Sequence, residues 1–277
     1  MLEDVVPTLI CPHCGAELRT NGASLLCSSG HTANIARQGY VSLLGRDSGT
    51  HTADSAEMVA ARERFLDSGH FGPLARELAA VAARPGLEDV EGSVLDLGTG
   101  TGYYLAAVLE ELPGRAGLGV DNSKFAARRA ARCHPRAGAI VADIWDEVPV
   151  RDESMALVLN VFAPRNGEEI SRVLAPGGRL VVVTPGPEHL KELIEPFAMI
   201  SVDADKEERL ERSLEKVGGD AEVVSLEWKM SLTPEEITDL VGMGPSAGRL
   251  DPEGLRELVA GLPARSGVTG SVRISVL

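Results

Sequence analysis

The sequence predicts an α/β protein, a doubly wound and mainly parallel sheet preceded by a small zinc-binding domain. Three observations predict it. Apolar runs alternate with helical segments from residue 93 onward, one run turns glycine-rich between Val94 and Tyr104, and cysteine and histidine recur at metal-ligand spacing before residue 32. Repeated strand and helix units place a parallel sheet between layers of helices, with ligands at the carboxyl ends of the strands.

Composition bounds the answer. A chain of 277 residues with 44% hydrophobic residues accommodates one large domain and a small one, as a soluble globular protein does. No apolar run approaches the ~20 residues needed to span a bilayer, and no basic segment followed by an apolar one opens the chain. The sequence therefore predicts no membrane partner and a cytoplasmic location. Four cysteines, three of them within the first 27 residues, suit a reduced compartment and a local metal site better than a disulfide framework. The formal net charge of -14 argues against a nucleic-acid binder that relies on bulk charge.

Cys11 and Cys14 form a C-x2-C turn, and Cys27 and His31 follow as a second pair with three residues between them. Two ligands from each turn close a tetrahedron around zinc, and four protein ligands leave no open position, so the zinc is expected to be structural. His13, inside the first turn, is expected to face solvent. Residues 33 to 44 complete the small domain, and the polar stretch from Gly45 to Thr52 marks a boundary, giving a zinc domain at 1–50, a linker helix at 51–72 and a catalytic domain at 73–277. Asp54 followed by Glu57 reads as a capping box with Asp in the Ser/Thr place, opening a helix that ends near Ser68-Gly69. His70 and Phe71 open a loop, and a second helix covers about Pro73 to Ala83.

Val94, Leu95 and Leu97 read as a buried strand ending in a turn in which Gly98, Gly100 and Gly102 allow a ligand close to the backbone. The dinucleotide fingerprint needs its third glycine where Tyr103 stands. The pattern D-x-G-x-G-x-G beginning at Asp96 is instead that of S-adenosylmethionine-dependent methyltransferases. Helices are expected over Tyr103 to Glu111, Ser123 to Cys133 and Glu168 to Leu174, and strands over Gly117 to Val120, Ala139 to Ala142, Met155 to Asn160 and Arg179 to Thr184. The strand ends carry Asp96, Asp121, Asp143 and Asn160. A carboxylate after the second strand accepts ribose hydroxyls, so Asp121 is the ribose candidate. Asp143 meets the adenine amino group with Ile144 against the ring, and Asp96 faces the positively charged amino-acid end of the cofactor. The plain alternative for each carboxylate is a helix N-cap. Farther on, Asp203 to Glu215 reads as a charged helix, Glu222 to Leu232 as a strand, and Ser271 to Leu277 as a closing strand. Cys133 reads as a core residue. Lys124, Arg128, Arg129, Arg132 and Arg136 give one helix a basic side, either a phosphate contact or a solvated face.

Together these motifs resemble the bacterial 23S ribosomal RNA guanine-N1-methyltransferases, a family that includes macrolide-resistance methylases. The resemblance rests on the Cys11 to His31 motif, Gln38 to Leu44, Asp67 to Phe71, Asp96 to Tyr104, Asn160 to Pro164, Thr184 to Leu190 and Met243 to Ser246. It implies a seven-stranded Rossmann-like methyltransferase sheet, S-adenosylmethionine and zinc as cofactors, and a 23S rRNA hairpin, hairpin 35 near the macrolide site, as partner. It further implies a homodimer, and Phe71, Gly102, Tyr103 and His189 at the cofactor. Phe71 departs from the family's usual tyrosine. Guanine N1 must lose a proton as it attacks the methyl carbon; Asn160 is the candidate for orienting the base and Arg165 for stabilising charge on O6. A small-molecule methyltransferase and a zinc-bearing adaptor without activity are the competing readings. The zinc motif disfavours the first, the intact Asp96 to Gly102 turn the second.

Overall fold

The computed structural model describes residues 1–45, 52–199, 221–244 and 252–277, with Gly218 and Ala247. The charged stretch from Asp203 to Glu215, most of the linker after Gly45, and Pro245 and Ser246 lie outside the described residues.

The chain opens with a short helix α1 (Leu2–Val5) and a three-stranded antiparallel ribbon of β1 (Leu18–Thr20), β2 (Ser24–Cys27) and β3 (Thr32–Asn34). Strand β4 (Tyr40–Ser42) leaves the ribbon, and helices α2 (Ala56–Asp67) and α3 (Gly72–Ala82) lead into β5 (Ser93–Leu97). There follow α4 (Tyr103–Glu111), β6 (Gly117–Asp121), α5 (Lys124–Ala130), β7 (Ala137–Val141), β8 (Met155–Val161), α6 (Gly167–Val173) and β9 (Leu174–Pro185). A short α7 (Lys191–Ile194), β10 (Glu222–Leu232), α8 (Pro234–Gly242), α9 (Pro252–Ala260) and β11 (Ser266–Val276) complete the described part. The main sheet runs β10-β11-β9-β8-β5-β6-β7-β4, parallel from β4 to β9 and antiparallel at β11 and β10.

Eight strands stand where the sequence predicts seven. The extra one is β4, from the expected zinc domain, whose Tyr40, Val41 and Ser42 pair with Ala139, Ile140 and Val141 of β7. Helix α1 lies on the same edge so closely that a Cβ on Gly138 would come within 2.7 Å of Val5. Leu2, Val5, Leu9, Leu25 and Val41 share one apolar cluster with Leu95, Leu118 and Ile140. The boundary at residue 50 therefore does not separate two cores. A ribbon of this length buries too little apolar surface to stand alone, and it completes its core on the sheet.

Local chemistry sets the ends of several elements. Ser55 rather than Asp54 caps α2, its hydroxyl accepting the Met58 N–H at 3.2 Å, while Asp54 pairs with Arg62 at 2.6 Å. In α8 the Thr233 hydroxyl and the Glu236 carboxylate cap each other's backbone as a capping box. Arg179 donates to the carbonyls of Val81, Ala82, Arg84 and Pro85 beyond the end of α3, and Arg136 to those of Leu109, Leu112 and Arg115 at the end of α4. These guanidinium groups satisfy carbonyls that a helix terminus leaves unpaired. Among the described residues no helix is long and apolar enough to cross a membrane.

Strand β11 begins five residues before the predicted Ser271 and carries Gly267 and Gly270 within it, residues that weaken a strand by themselves. Trp228 of β10, opposite Gly270, covers it: a Cβ there would lie 2.2 Å from the indole, whose N–H donates to the His70 carbonyl at 2.8 Å. Gly270→Ala should push the indole off the strand and lower stability by about 1–3 kcal/mol, measured by denaturant unfolding with tryptophan emission as probe. Unchanged stability and emission would contradict this packing.

Candidate active site and zinc site

The N-terminal ribbon brings Cys11, Cys14, Cys27 and His31 together, their ligand atoms all within 4.8 Å of one another. Cys14 Sγ lies 3.7 Å from Cys27 Sγ, and His31 Nδ1 lies 3.4 Å from Cys11 Sγ and 3.5 Å from Cys27 Sγ. Tetrahedral zinc, with Zn–S about 2.3 Å and Zn–N about 2.1 Å, sets ligand atoms about 3.6–3.8 Å apart. These three pairs stand close to zinc spacing, and the donor set is the one a structural zinc takes. His13 stands outside the set, edge-on to the His31 ring at 5.1 Å.

The parallel strands deliver Asn160, Asp96, Asp121 and Asp143 to their carboxyl ends, in the spatial order β8, β5, β6, β7. All four are buried. Asp121 accepts the Gly100 N–H at 2.9 Å and the Ser123 N–H at 2.8 Å, which offset part of the desolvation that raises its carboxyl. Asp143 accepts the Trp145 N–H at 3.0 Å, with Ile144 buried beside it. Asp96 accepts the Thr99 hydroxyl at 2.7 Å on one oxygen, while the other is buried without a donor. Burial, with a smaller contribution from Asp121, pushes its carboxyl up to about 7. An orphaned acceptor in such a place calls for a donor, and the ammonium of S-adenosylmethionine is one of matching charge. Asn160 donates to the Leu97 and Pro164 carbonyls at 3.3 and 2.8 Å, and its own Oδ1 is the second orphaned acceptor. Arg165, in the loop between β8 and α6, is partly buried, and desolvation lowers its pKa.

The glycines make the sharp turn expected of them, and they also make room for protein. A Cβ on Gly98 would fall 2.4 Å from the Ala163 Cβ, and one on Gly102 would fall 2.7 Å from Cys133 Sγ. Both residues have positive φ, so the turn needs glycine for conformation and for protein packing alike. Gly100 instead faces Arg62 of α2, which pairs with Asp54 and donates to the Met243 carbonyl.

An aromatic wall stands beside these strand ends. Phe71 is edge-on to Phe65 at 5.3 Å and to Trp228 at 5.4 Å, and lies 6.2 Å from His189. The His189 Nδ1 accepts the Ser271 N–H at 3.2 Å, and burial pushes its pKa down to about 4, so the neutral ring carries its proton on Nε2. Tyr103 packs on Tyr104 and lines a groove of about 700 Å³ with Asp67, Thr101, Glu110, Arg128 and Arg132. Arg62, Thr99 and Phe162 belong to the site and were not legible as such. Arg62 acts through partners distant in sequence and Phe162 through a backbone conformation, whereas Thr99 serves the neighbouring Asp96 from a variable position of the motif.

Two outcomes follow. Cys27→Ser should lose the bound zinc and lower the melting temperature, by metal analysis and calorimetry; a variant keeping both would exclude Cys27 from the ligand set. For Asp96, a carboxyl near 7 in the free protein against 3.8 unfolded means that the folded state binds the extra proton between those values, so stability falls as pH rises through them. A cation held against it favours the carboxylate, so S-adenosylmethionine binding should release about half a proton at pH 7 and almost none above about pH 8. Titration calorimetry in two buffers of different ionisation enthalpy reads this directly, and equal heats in both would contradict it.

Comparison with known proteins agrees with this geometry. Residues 94–178 match the family model described as a methyltransferase domain, and residues 9–46 match the one described as RlmA, N-terminal, a zinc ribbon. The 23S rRNA (guanine(748)-N(1))-methyltransferase of Streptomyces fradiae is 46% identical over 280 residues, covering 100% of this chain and 98% of its own. A Micromonospora griseorubida protein provisionally assigned as a 23S rRNA (guanine-N(1)-)-methyltransferase is likewise 46% identical, over 99% of this chain and 98% of its own. Among solved structures, the plantazolicin methyltransferase BpumL in complex with SAH is 14% identical with a TM-score of 0.46, covering 80% of this chain and 93% of its own. With ribbon and catalytic sheet both matched end to end at this identity, the chain belongs to the 23S rRNA (guanine-N1)-methyltransferase family.

Proposed function

We propose that the chain transfers the methyl group of S-adenosylmethionine to N1 of one guanine in 23S rRNA, in the hairpin 35 region near the macrolide site, and thereby confers macrolide resistance. The full-length identity to the Streptomyces fradiae enzyme supports the reaction and the substrate. The observation that carries the division of labour is the fusion of the zinc ribbon, through β4, to the edge of the catalytic sheet. That join fixes the ribbon relative to the strand ends, as one wall of an RNA cleft requires. A cytoplasmic location accords with a ribosomal RNA substrate, and a homodimer is part of the same proposal.

When bound, S-adenosylmethionine supplies an electrophilic methyl carbon on a sulfonium. Asp121 holds its ribose, Asp143 and Ile144 its adenine, and Asp96 its ammonium, with Phe71, Gly98, Gly100, Gly102, Tyr103 and His189 around it. Asn160 has both amide hydrogens committed to backbone carbonyls, so it offers the guanine its Oδ1 acceptor, suited to the base's amino edge. Arg165 is the group proposed to stabilise the charge that grows on O6 as the N1 proton passes to solvent and the methyl leaves the sulfonium, giving 1-methylguanine and S-adenosylhomocysteine. Positioning supplies much of the acceleration, and proton removal adds about 10²–10⁴-fold.

The acidic total of the chain leaves few cations for RNA. Arg129 is paired with Glu63 at 2.7 Å and Arg136 is committed to carbonyls, which leaves Lys124 and Arg128 on α5 and Arg132 just beyond it, all three exposed, as phosphate contacts. Recognition then rests on hairpin shape and splayed bases more than on bulk charge. With tritiated cofactor and unmodified 23S rRNA, base mapping should find 1-methylguanine at one position. Asn160→Ala should slow single-turnover transfer at least about tenfold with cofactor affinity retained. An unchanged rate would remove Asn160 from the mechanism, and label found only in a small-molecule acceptor would overturn the RNA reading.

A further inference from the structure

The chain is poor in aromatic residues, with five Phe, three Tyr and two Trp, yet it gathers several at one place. Phe65, Phe71, Phe162, Trp228 and His189 form a connected wall with ring centroids no more than 6.4 Å apart along each link. Phe65 and Phe71 are packed inside it at 1% and 2% exposure. Phe162 is the departure, 40% exposed. A single exposed phenyl is ordinary at a protein surface; the backbone and the neighbours of this one set it apart.

Its backbone is also specified. Phe162 sits at φ +54, a left-handed conformation that costs a residue with a Cβ, and its N–H is held by the Val183 carbonyl at 3.1 Å. Strain of this kind persists where the surroundings over-determine it, as they do at ligand sites. The His189 ring backs Phe162 at 5.5 Å with only 31° between planes, and Phe71 stands 6.4 Å away. Asn160, with its orphaned Oδ1, lies two residues before it and Arg165 three residues after.

Sheet order separates this ring from the adenine site. Asp143 and Ile144 follow β7, whereas Phe162 follows β8, on the other side of β5 in the order β8-β5-β6-β7. A planar group stacked on Phe162 is therefore the methyl acceptor and not the donor's adenine. We infer that Phe162 is the stacking platform for the acceptor base, its face receiving the unstacked guanine while Asn160 and Arg165 engage the base's edge. This rests on the guanine reading above. An aromatic platform suits an extruded base, because a flipped nucleotide loses its neighbours in the helix and regains a stacking partner in the pocket.

The test uses the full-length protein, S-adenosylmethionine and unmodified 23S rRNA transcript. Phe162→Ala and Phe162→Leu should each lower kcat/KM for transfer by roughly ten- to hundredfold, the range of base–aromatic stacking. Phe162→Tyr and Phe162→Trp should stay within about threefold of the parent. Because the ring is partly solvated, all four variants should keep the parent's melting temperature and cofactor affinity. If Phe162→Leu transfers as well as Phe162→Tyr, the side chain is an apolar wall and the stacking role is overturned. If Phe162→Ala loses cofactor affinity in step with transfer, the ring belongs to the donor site, which also overturns it. Product mapping with the parent protein decides the guanine reading separately: methyl on a different base sinks that reading alone, with stacking judged by the same variant ratios, and an aliphatic acceptor sinks both.

Discussion

Strand β5 is buried at each of its five positions and lies between β6 and β8, and the chemistry of the chain is referred to its carboxyl end. Parallel pairing points every neighbouring strand the same way, so the turns after β5, β6, β7 and β8 converge on one edge of the sheet. That convergence concentrates acidic groups where water is excluded. A carboxylate so placed loses hydration, and Asp96 recovers only one hydrogen bond, from Thr99, for one of its two oxygens. The fold thus maintains a polar site that is incompletely satisfied by the protein itself, a condition that a cationic ligand relieves.

The distribution of arginine bears on how an acidic protein meets RNA. Arg115, Arg136 and Arg179 turn their guanidinium groups onto backbone carbonyls near Leu87, Leu112 and Ala82, and Arg62 is held between Asp54 and the Met243 carbonyl. Arg172 is bound by Glu169 and Asp152, whose hydrogen bonds raise its pKa. Much of the positive charge is therefore structural. The remainder is local, with Lys124 and Arg128 exposed on α5 and Arg132 just beyond it.

The ribbon and the sheet are mechanically one body at the β4 edge. Cys11 and Cys27 sit in the same apolar cluster as Leu118 and Ile140, so closing the metal site orders residues that also cover the sheet. Metal affinity and folding free energy are linked wherever the ligands come from an otherwise weak core. The same continuity couples the ribbon's orientation to the strand ends through β7, which pairs with β4 on one side and β6 on the other.

The sequence by itself determined what short-range pattern encodes. Strands such as Met155–Val161 announce themselves as apolar runs because a parallel strand is buried on both faces, and the helix at Tyr103–Glu111 follows directly from its glycine turn. The zinc set was legible because ligand spacing is itself local. Tertiary structure decided the rest. That Tyr40–Ser42 would leave the ribbon for β7 depends on which edge was open, and a three-residue strand carries no such address. That Gly270 would sit mid-strand depends on Trp228 covering it from across the hairpin, and that Gly98 and Gly102 serve packing depends on Ala163 and Cys133. Phe162 looked like any apolar residue after a strand; its exposure, its left-handed backbone and its place in the aromatic wall exist only once His189 and Phe71 arrive from distant parts of the chain.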